Sequence, residues 1–528
     1  MRLCFSQVRR NQRLAAALAL LLLGAVGLTA LRQQQHQRVQ GQVGQHSQLP
    51  QEQEQGPDAL LRLHPELQDQ HHQQPNQQQQ QQQQLQRQAQ LNAHPERNPL
   101  LNLNPQQQPK QQQPELTHPQ QHAQDAPAMG KVSESGQSIH SAQDYADQVA
   151  PESIVAALRA KVAQMNSNIV VQNNNDARLP ALKPNFPVIV IQIHNRLLYF
   201  MHTIQSLAQV ENIGSALIVL SHDFWDEPIM DYIRSNLKFC RYVQIFMPHS
   251  MQLHPEAFPG QGTNDCPRDL SKSDARALGC VNAEFPDTYG HYREAPFAMI
   301  KHHWWWKANT VFDVLQVTRE NNGPMLFLEE DHVLAPDALV AVMAATAARP
   351  RLCPSCQLVG IATYNPLEAT IDHKAATAHT AAWLSAQNNM GMVIDRAAWS
   401  SIKSCHRDFC TFDDYNWDWS LQYAASTCVG SLNILVLDHP RVVHIGTCGA
   451  HAYQHSPGKP CNPAQLMDQL NALWNYKKSS MLHFAADGTP SESISLSSKG
   501  AMAVPRPSPN GGWGDHRDHA LCIAQVRA

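Results

Sequence analysis

Three short apolar runs, each closed by a cluster of polar side chains, constrain this chain more than any other feature. Val188–Ile193 is followed by His194, Asn195 and Arg196, and Ala216–Leu220 ends in Ser221, His222 and Asp223. Met325–Leu328 runs directly into Glu329, Glu330, Asp331 and His332. Near-continuous apolar strands are those covered on both faces, as in parallel sheets. Tyr242–Met247, Leu358–Ile361 and Leu432–Leu437 read as further strands, and helical patterns such as Leu198–Leu207 lie between several of them. Strands alternating with helices predict an α/β fold with a mostly parallel sheet. Ligands of such sheets bind beyond the carboxyl ends of the strands, so the three polar ends converge on one rim.

The acids of that rim allow two readings. Like charges at contact distance raise one another's pKa, and a divalent cation among Glu329, Glu330 and Asp331 removes that cost. The plainer reading is a solvated acidic turn. Three polar strand ends together favour a nucleotide-type site. The Gly-x-Gly-x-x-Gly and Gly-x-x-x-x-Gly-Lys-Ser/Thr patterns are both absent, which argues against a dinucleotide fold or an ordinary P-loop. Val442–Gly446 places His444 inside another apolar run. It is either structural or part of a mixed imidazole–carboxylate shell suited to Mn²⁺. Pro296 suits the first turn of a helix that carries Lys301, His302, His303 and the triplet Trp304–Trp306. Residues about 100° apart cannot share one face, so the triplet divides between core packing and a stacking surface. Lys301 is either solvated or within reach of a phosphate. Asp413, Asp414 and Asp418 stand among aromatics between Phe412 and Trp419. A carboxylate walled by Trp has a raised pKa, as a general base needs; a helix-capping Asp is the alternative.

Not all 528 residues can fold. Gln dominates roughly residues 33–125, with an unbroken run from Gln77 to Gln84. Such a segment cannot bury enough apolar surface to offset its ordering entropy and is read as a disordered spacer. Before it, Leu14–Leu31 is apolar and uncharged, preceded by Arg2, Arg9, Arg10 and Arg13. This reads as an uncleaved membrane anchor with its basic flank in the cytoplasm and the bulk of the chain across the membrane; a cleaved signal peptide is the competing reading. Of twelve cysteines, all but Cys4 fall between Cys240 and Cys522, on the side where disulfides are expected. The formal charge of −4 argues against a general nucleic-acid binder. The tripeptide Asn-X-Ser/Thr is absent, so no ordinary N-glycan is expected on the chain.

Seven motifs occur in an order that resembles the N-acetylglucosaminyltransferase II family. They are Ile191–Arg196, Ser221–Trp225, Gly290–Ala295, Lys301–Lys307, Phe327–His332, Asp413–Trp419 and Gly511–Asp515. The resemblance covers roughly residues 186–522. It implies a GT-A type, Rossmann-like catalytic domain over residues 151–528 in the Golgi lumen. Residues 1–13 would be a cytoplasmic tail, 14–31 a type II signal anchor and 32–150 a Gln-rich stem. It implies inverting transfer of N-acetylglucosamine from UDP-N-acetylglucosamine, in β1,2 linkage, to the α1,6-arm mannose of an N-glycan core on glycoproteins, converting hybrid to complex glycans.

By position in the motifs, Asp331 and His444 correspond to Mn²⁺ ligands and Asp418 to the base, with Asp414 as second choice. Gln192, Ile193, His194, Asn195, Arg196 and Asp223 match nucleotide-contacting segments. Met299, Ile300, Lys301, His302 and His303 match a further donor-binding stretch. Glu329 and Glu330 would set the local charge or reach the donor. The resemblance also implies disulfides Cys266–Cys280, Cys353–Cys356, Cys405–Cys428, Cys410–Cys522 and Cys448–Cys461, leaving Cys4 and Cys240 unpaired. Two departures stand out. The family carries an Arg shortly after the Thr-Tyr matched by Thr363-Tyr364, where this chain runs Asn365-Pro366-Leu367-Glu368. Met299 and Ile300 replace more polar residues. A sibling enzyme with another acceptor and an inactive sugar-binding relative are the alternatives. Oligomeric state is not legible.

Overall fold

The computed structural model describes residues 151–287, 290–363, 376–414, 416–446, 463–476, 481–500, 502–507 and 515–526. The expected tail, anchor and stem, the Cys448–Cys461 pair, the stretch Asn365–Glu368 and Gly511–Gly514 lie outside them. No helix among the described residues is long and apolar enough to cross a membrane.

The apolar runs become strands β1 (Val188–Ile193), β2 (Leu217–His222), β3 (Arg241–Phe246) and β4 (Met325–Glu329). After them come β5 (His332–Leu334), β6 (Leu358–Gly360), β7 (Ala362–Thr363), β8 (Thr377–Ala382), β9 (Met392–Ile394), β10 (Asn433–Leu437), β11 (Val442–His444) and β12 (Ser495–Lys499). Nine strands form one sheet in the order β12-β8-β10-β6-β9-β4-β1-β2-β3, and β5-β11-β7 form a second. The block β3-β2-β1-β4 is parallel throughout, as expected from strands buried on both faces. The sheet reverses at β9, which runs antiparallel to both β4 and β6.

The helices that matter for the site are α1 (Glu152–Ser167), α2 (Leu197–Leu207), α3 (Glu227–Asn236), α4 (Ala295–Asn309), α5 (Ala338–Leu352), α6 (Arg396–Ser404), α7 (His406–Phe412), α8 (Trp417–Ala424), α9 (Ala464–Tyr476) and α10 (His516–Ala524). Alternation along β1 divides the core. Ile189, Ile191 and Ile193 pack with Phe200 and Ile204 of α2 and the small and branched side chains of α5. Val188 and Val190 face α4, where Trp304 and Trp305 meet Trp399, Phe409 and Trp417 of α6, α7 and α8. α4 is buried nearly all round, its polar side chains Lys301, His302, His303 and Lys307 included.

The Trp triplet is resolved by that packing. Trp304 stacks on Trp417, with ring centroids 4.4 Å apart and planes 5° from parallel. Trp305 stacks on Phe409 at 4.2 Å. Both are core residues, while Trp306 is only partly buried. α7 stops at Phe412 and α8 begins at Trp417, so Asp413 and Asp414 occupy the turn between them. Among the described residues, four disulfides join Cys266–Cys280, Cys353–Cys356, Cys405–Cys428 and Cys410–Cys522, and Cys240 is a buried free thiol.

Candidate functional site

Strand register fixes the rim. Gln192 of β1 lies beside Ser221 of β2 and Glu329 of β4, and Ile193 lies beside His222. Side chains two apart share a face, so Gln192, Ser221 and Glu329 continue the α4-facing rows of Val190, Val219 and Phe327. His303 and Lys307, one turn apart on α4, cover this polar row. The His303 ring hydrogen-bonds Ser221 Oγ at 2.9 Å, and its other nitrogen lies 3.2 Å from Asp223 Oδ2. Lys307 Nζ donates to Gln192 Oε1 at 2.7 Å. Burial pulls the Lys307 ammonium down to about 7, against the opposing charges of Glu329 and Asp223. In the sequence Lys307 is marked only by its motif and by its i, i+4 spacing from His303.

The turn after β1 is tied to the acids after β4. His194 Nδ1 lies 2.7 Å from Asp223 Oδ1, and this carboxylate raises the His194 pKa against the opposing effect of burial. The two imidazoles, His194 and His303, hold Asp223 well below the usual carboxylate range despite its burial. Glu330 is occupied by the protein: Oε2 accepts from the His194 backbone N–H at 2.8 Å and Oε1 from Arg196 Nε at 2.6 Å. It therefore shapes the β1 turn rather than facing a ligand. Arg196 also reaches Asp331 Oδ2 at 2.9 Å.

Asp331 and His444, 113 residues apart, meet here: His444 Nε2 lies 3.1 Å from Asp331 Oδ2. β11 brings His444 in by pairing antiparallel with β5, His444 opposite His332. Glu329, Asp331 and His332 offer ligand atoms within 4.8 Å of one another. Two further observations fit a cation. Asp331 Oδ1 is buried with no hydrogen-bond partner among the described residues. A Cβ on Gly446 would sit 2.2 Å from Asp331 Oδ2 and 2.7 Å from His444 Nε2, so glycine leaves open the space in front of both ligand atoms. Carboxylate and imidazole donors together suit a divalent first-row ion.

Asp418 stands in the first turn of α8. Its Oδ2 accepts from Asn389 Nδ2 and its Oδ1 from the Trp419 backbone N–H, both at 2.9 Å. Burial raises its pKa to about 6 against those two hydrogen bonds. Two residues past Asn389, Gly391 lies against Ala362 of β7, the strand that pairs with Val442 and Val443 of β11. Asn389 and the carboxylate it holds thus approach the smaller sheet that carries His444. Nothing in the sequence pointed to Asn389, because its place depends on the reversal at β9.

The remaining candidates are distributed more widely. Ile193 is wholly buried core, and Asn195 is half-buried in the β1–α2 turn. Met299 packs with Met247, Met251 and Phe258, and Ile300 lines the α4 side of the core. Lys301 donates to the carbonyls of Cys410 and Asp413. His302 pairs with Asp518 of α10, which Arg293 also binds. Asp414 is buried against His519 at 3.2 Å and Arg293 at 3.5 Å.

A family profile described as N-acetylglucosaminyltransferase II (MGAT2) matches residues 159–522. Relatives named alpha-1,6-mannosyl-glycoprotein 2-beta-N-acetylglucosaminyltransferase are similar over most of their length. The Sus scrofa protein is 38% identical over 377 residues, 71% of this chain and 81% of that protein. The Mus musculus protein is 39% identical over 379 residues, 71% and 82% of the two. The Arabidopsis thaliana protein is 32% identical over 351 residues, 66% and 76%. Likeness to solved structures is slight and carries no argument: a mannosyltransferase from Pyrobaculum calidifontis in complex with GDP-Man and Mn²⁺ has a TM-score of 0.26 at 10% identity, covering 61% of this chain and 81% of that one.

Proposed function

This chain belongs to the N-acetylglucosaminyltransferase II family, and from that premise we infer that its rim carries out an inverting, metal-assisted sugar transfer from a nucleotide donor. The protein is a glycosyltransferase that moves N-acetylglucosamine onto an α1,6-mannosyl glycoprotein acceptor. We take the donor to be UDP-N-acetylglucosamine, the new linkage to be β1,2 on the α1,6-arm mannose, and the outcome to be conversion of a hybrid N-glycan to the complex type.

The observation that carries this reading is the meeting of Asp331 and His444 in front of Gly446. With Glu329 and His332 they would hold a divalent ion, taken to be Mn²⁺. Such an ion supplies charge neutralisation and Lewis acidity for a departing diphosphate. The chain's own residues do the rest. Gln192, His194, Arg196, Asp223 and His303 line the nucleotide end of the rim as a GT-A type arrangement would. Inversion requires one group to take the proton from the mannose hydroxyl as that oxygen attacks. Asp418 fits this role, with a pKa of about 6 that leaves it both ionised and basic near neutrality. Asn389 and the Trp419 N–H fix its two oxygens.

We further propose a type II protein of the Golgi membrane: cytoplasmic tail 1–13, anchor 14–31, stem 32–150 and luminal catalytic domain 151–528. Four disulfides in one domain support an oxidising compartment.

The test is a transfer assay with UDP-N-acetylglucosamine and a defined acceptor already carrying N-acetylglucosamine on its α1,3 arm, with and without Mn²⁺. Asp418→Asn is expected to lose turnover by at least about 10²-fold while donor affinity holds. Asp331→Ala is expected to lose metal-dependent donor binding. Full turnover by chelator-stripped protein would overturn the reading.

A further inference from the structure

We propose that Lys301 is a positioning residue for the base: it pins the turn that leads into α8 and its Asp418, and acts there rather than on the donor. The proposal rests on the reading of Asp418 given above. Lys301 is wholly buried on α4. Its Nζ donates to the carbonyl of Asp413 and, at 3.5 Å, to that of Cys410. An ammonium can only donate, so a buried one is committed to the oxygens around it. Here they are the carbonyls that end α7. The last carbonyls of a helix have no intrahelical partner, and a cation at that end is favoured.

The same turn is tied down on every side. Asp413 Oδ1 accepts from the Asn416 N–H at 2.8 Å, and Ser420 Oγ donates to the Asp413 carbonyl at 3.4 Å. Asp414 accepts from the Asp515 N–H at 3.3 Å and from His519 at 3.2 Å. One turn along α4 from Lys301, Trp304 stacks on Trp417, the residue before Asp418. α4 therefore grips the base-bearing segment at two points, Lys301 under the turn and Trp304 against the ring. Two turns from Lys301, the same helix presents Lys307 to Gln192 at the donor end. It acts as a rigid spacer between the two halves of the reaction.

The experiment is Lys301→Met in the otherwise intact protein, with kcat and donor KM measured separately, donor binding followed by calorimetry, and the pH profile of kcat recorded. A displacement of about 1 Å costs roughly 10²-fold in rate. The expected result is a loss of kcat of about 10- to 100-fold, donor KM and affinity within about twofold, and an acid limb of kcat that moves. A variant with unchanged kcat, or one that loses donor affinity instead, overturns the proposal. Should Lys301→Met not fold, Ser420→Ala decides the matter. It removes a second hydrogen bond to the same carbonyl and must lower kcat alone, by a smaller factor; full kcat there counts against the proposal. Asp418→Asn run alongside separates the two readings. Retained turnover in Asp418→Asn removes the base assignment itself, whereas an inert Asp418→Asn beside a fully active Lys301→Met defeats only the role of Lys301.

Discussion

A carboxylate that takes a proton near neutrality must be partly desolvated yet still fixed in place, and Asp418 meets both demands. Its pKa of about 6 sets the sign of two effects. Only the ionised form accepts the mannose proton, so kcat/KM should fall about tenfold per pH unit below about 6, measured as an acid limb that Asp418→Asn lacks. The folded pKa lies above the unfolded value of about 3.9. The fold therefore binds the extra proton, and its stability declines as pH rises from about 4 to about 6. Asp418→Asn removes that loss. The inactive variant should melt higher than the parent at pH 7.5, by on the order of 1 kcal/mol after allowing for partial exposure, and no higher at pH 3.5. Gly446 bears on the other half of the site. Gly446→Ala places a methyl against Asp331 Oδ2 and His444 Nε2 and must displace one of them, so a cation titration of turnover should shift by at least about tenfold.

At the scale of elements, α4 does most of the organising and was only half visible in the sequence. Pro296 marked its start and the Trp triplet its burial, but which neighbours each ring would meet depended on α7 and α8. Trp304 fills the space against Trp417 and Phe409. Trp304→Ala should cost about 3–5 kcal/mol, read from urea melts, and should lower kcat among molecules that remain folded. The parallel block was legible because β1, β2 and β4 are apolar through their length and polar at one end. β8 was not: Thr377–Ala382 mixes alanines with Thr and His and has no large apolar residue. β9 has three residues, too few for periodicity to register. The rim acids and His444 could be picked out by residue type, whereas Asn389 and the commitment of Glu330 to Arg196 and His194 follow from pairings that only tertiary structure decides. Lys301, which the resemblance places in a donor-binding stretch, ends under the α7–α8 turn, a position that residue type alone does not reveal.

Across the whole molecule, the disulfides differ widely in the chain they close. Cys410–Cys522 spans 112 residues and ties α10 to α7, whereas Cys353–Cys356 spans three. Chain-entropy arguments give the longer bridge about 5 kcal/mol and the short one far less. Replacing Cys410 and Cys522 with Ser should lower the urea midpoint much more than replacing Cys353 and Cys356, and should also reduce turnover, because α10 backs the turn before Asp418 through His519. The reversal at β9 has a wider consequence. Most of the proposed donor-side residues precede it in the chain, whereas the proposed base, Asp418, and His444 of the proposed cation site follow it. The two stretches are joined by β4 against β9, by β5 against β11 and by α4 packed on α7 and α8. Change in the later stretch would therefore touch the acceptor side and one half of the cation cradle together.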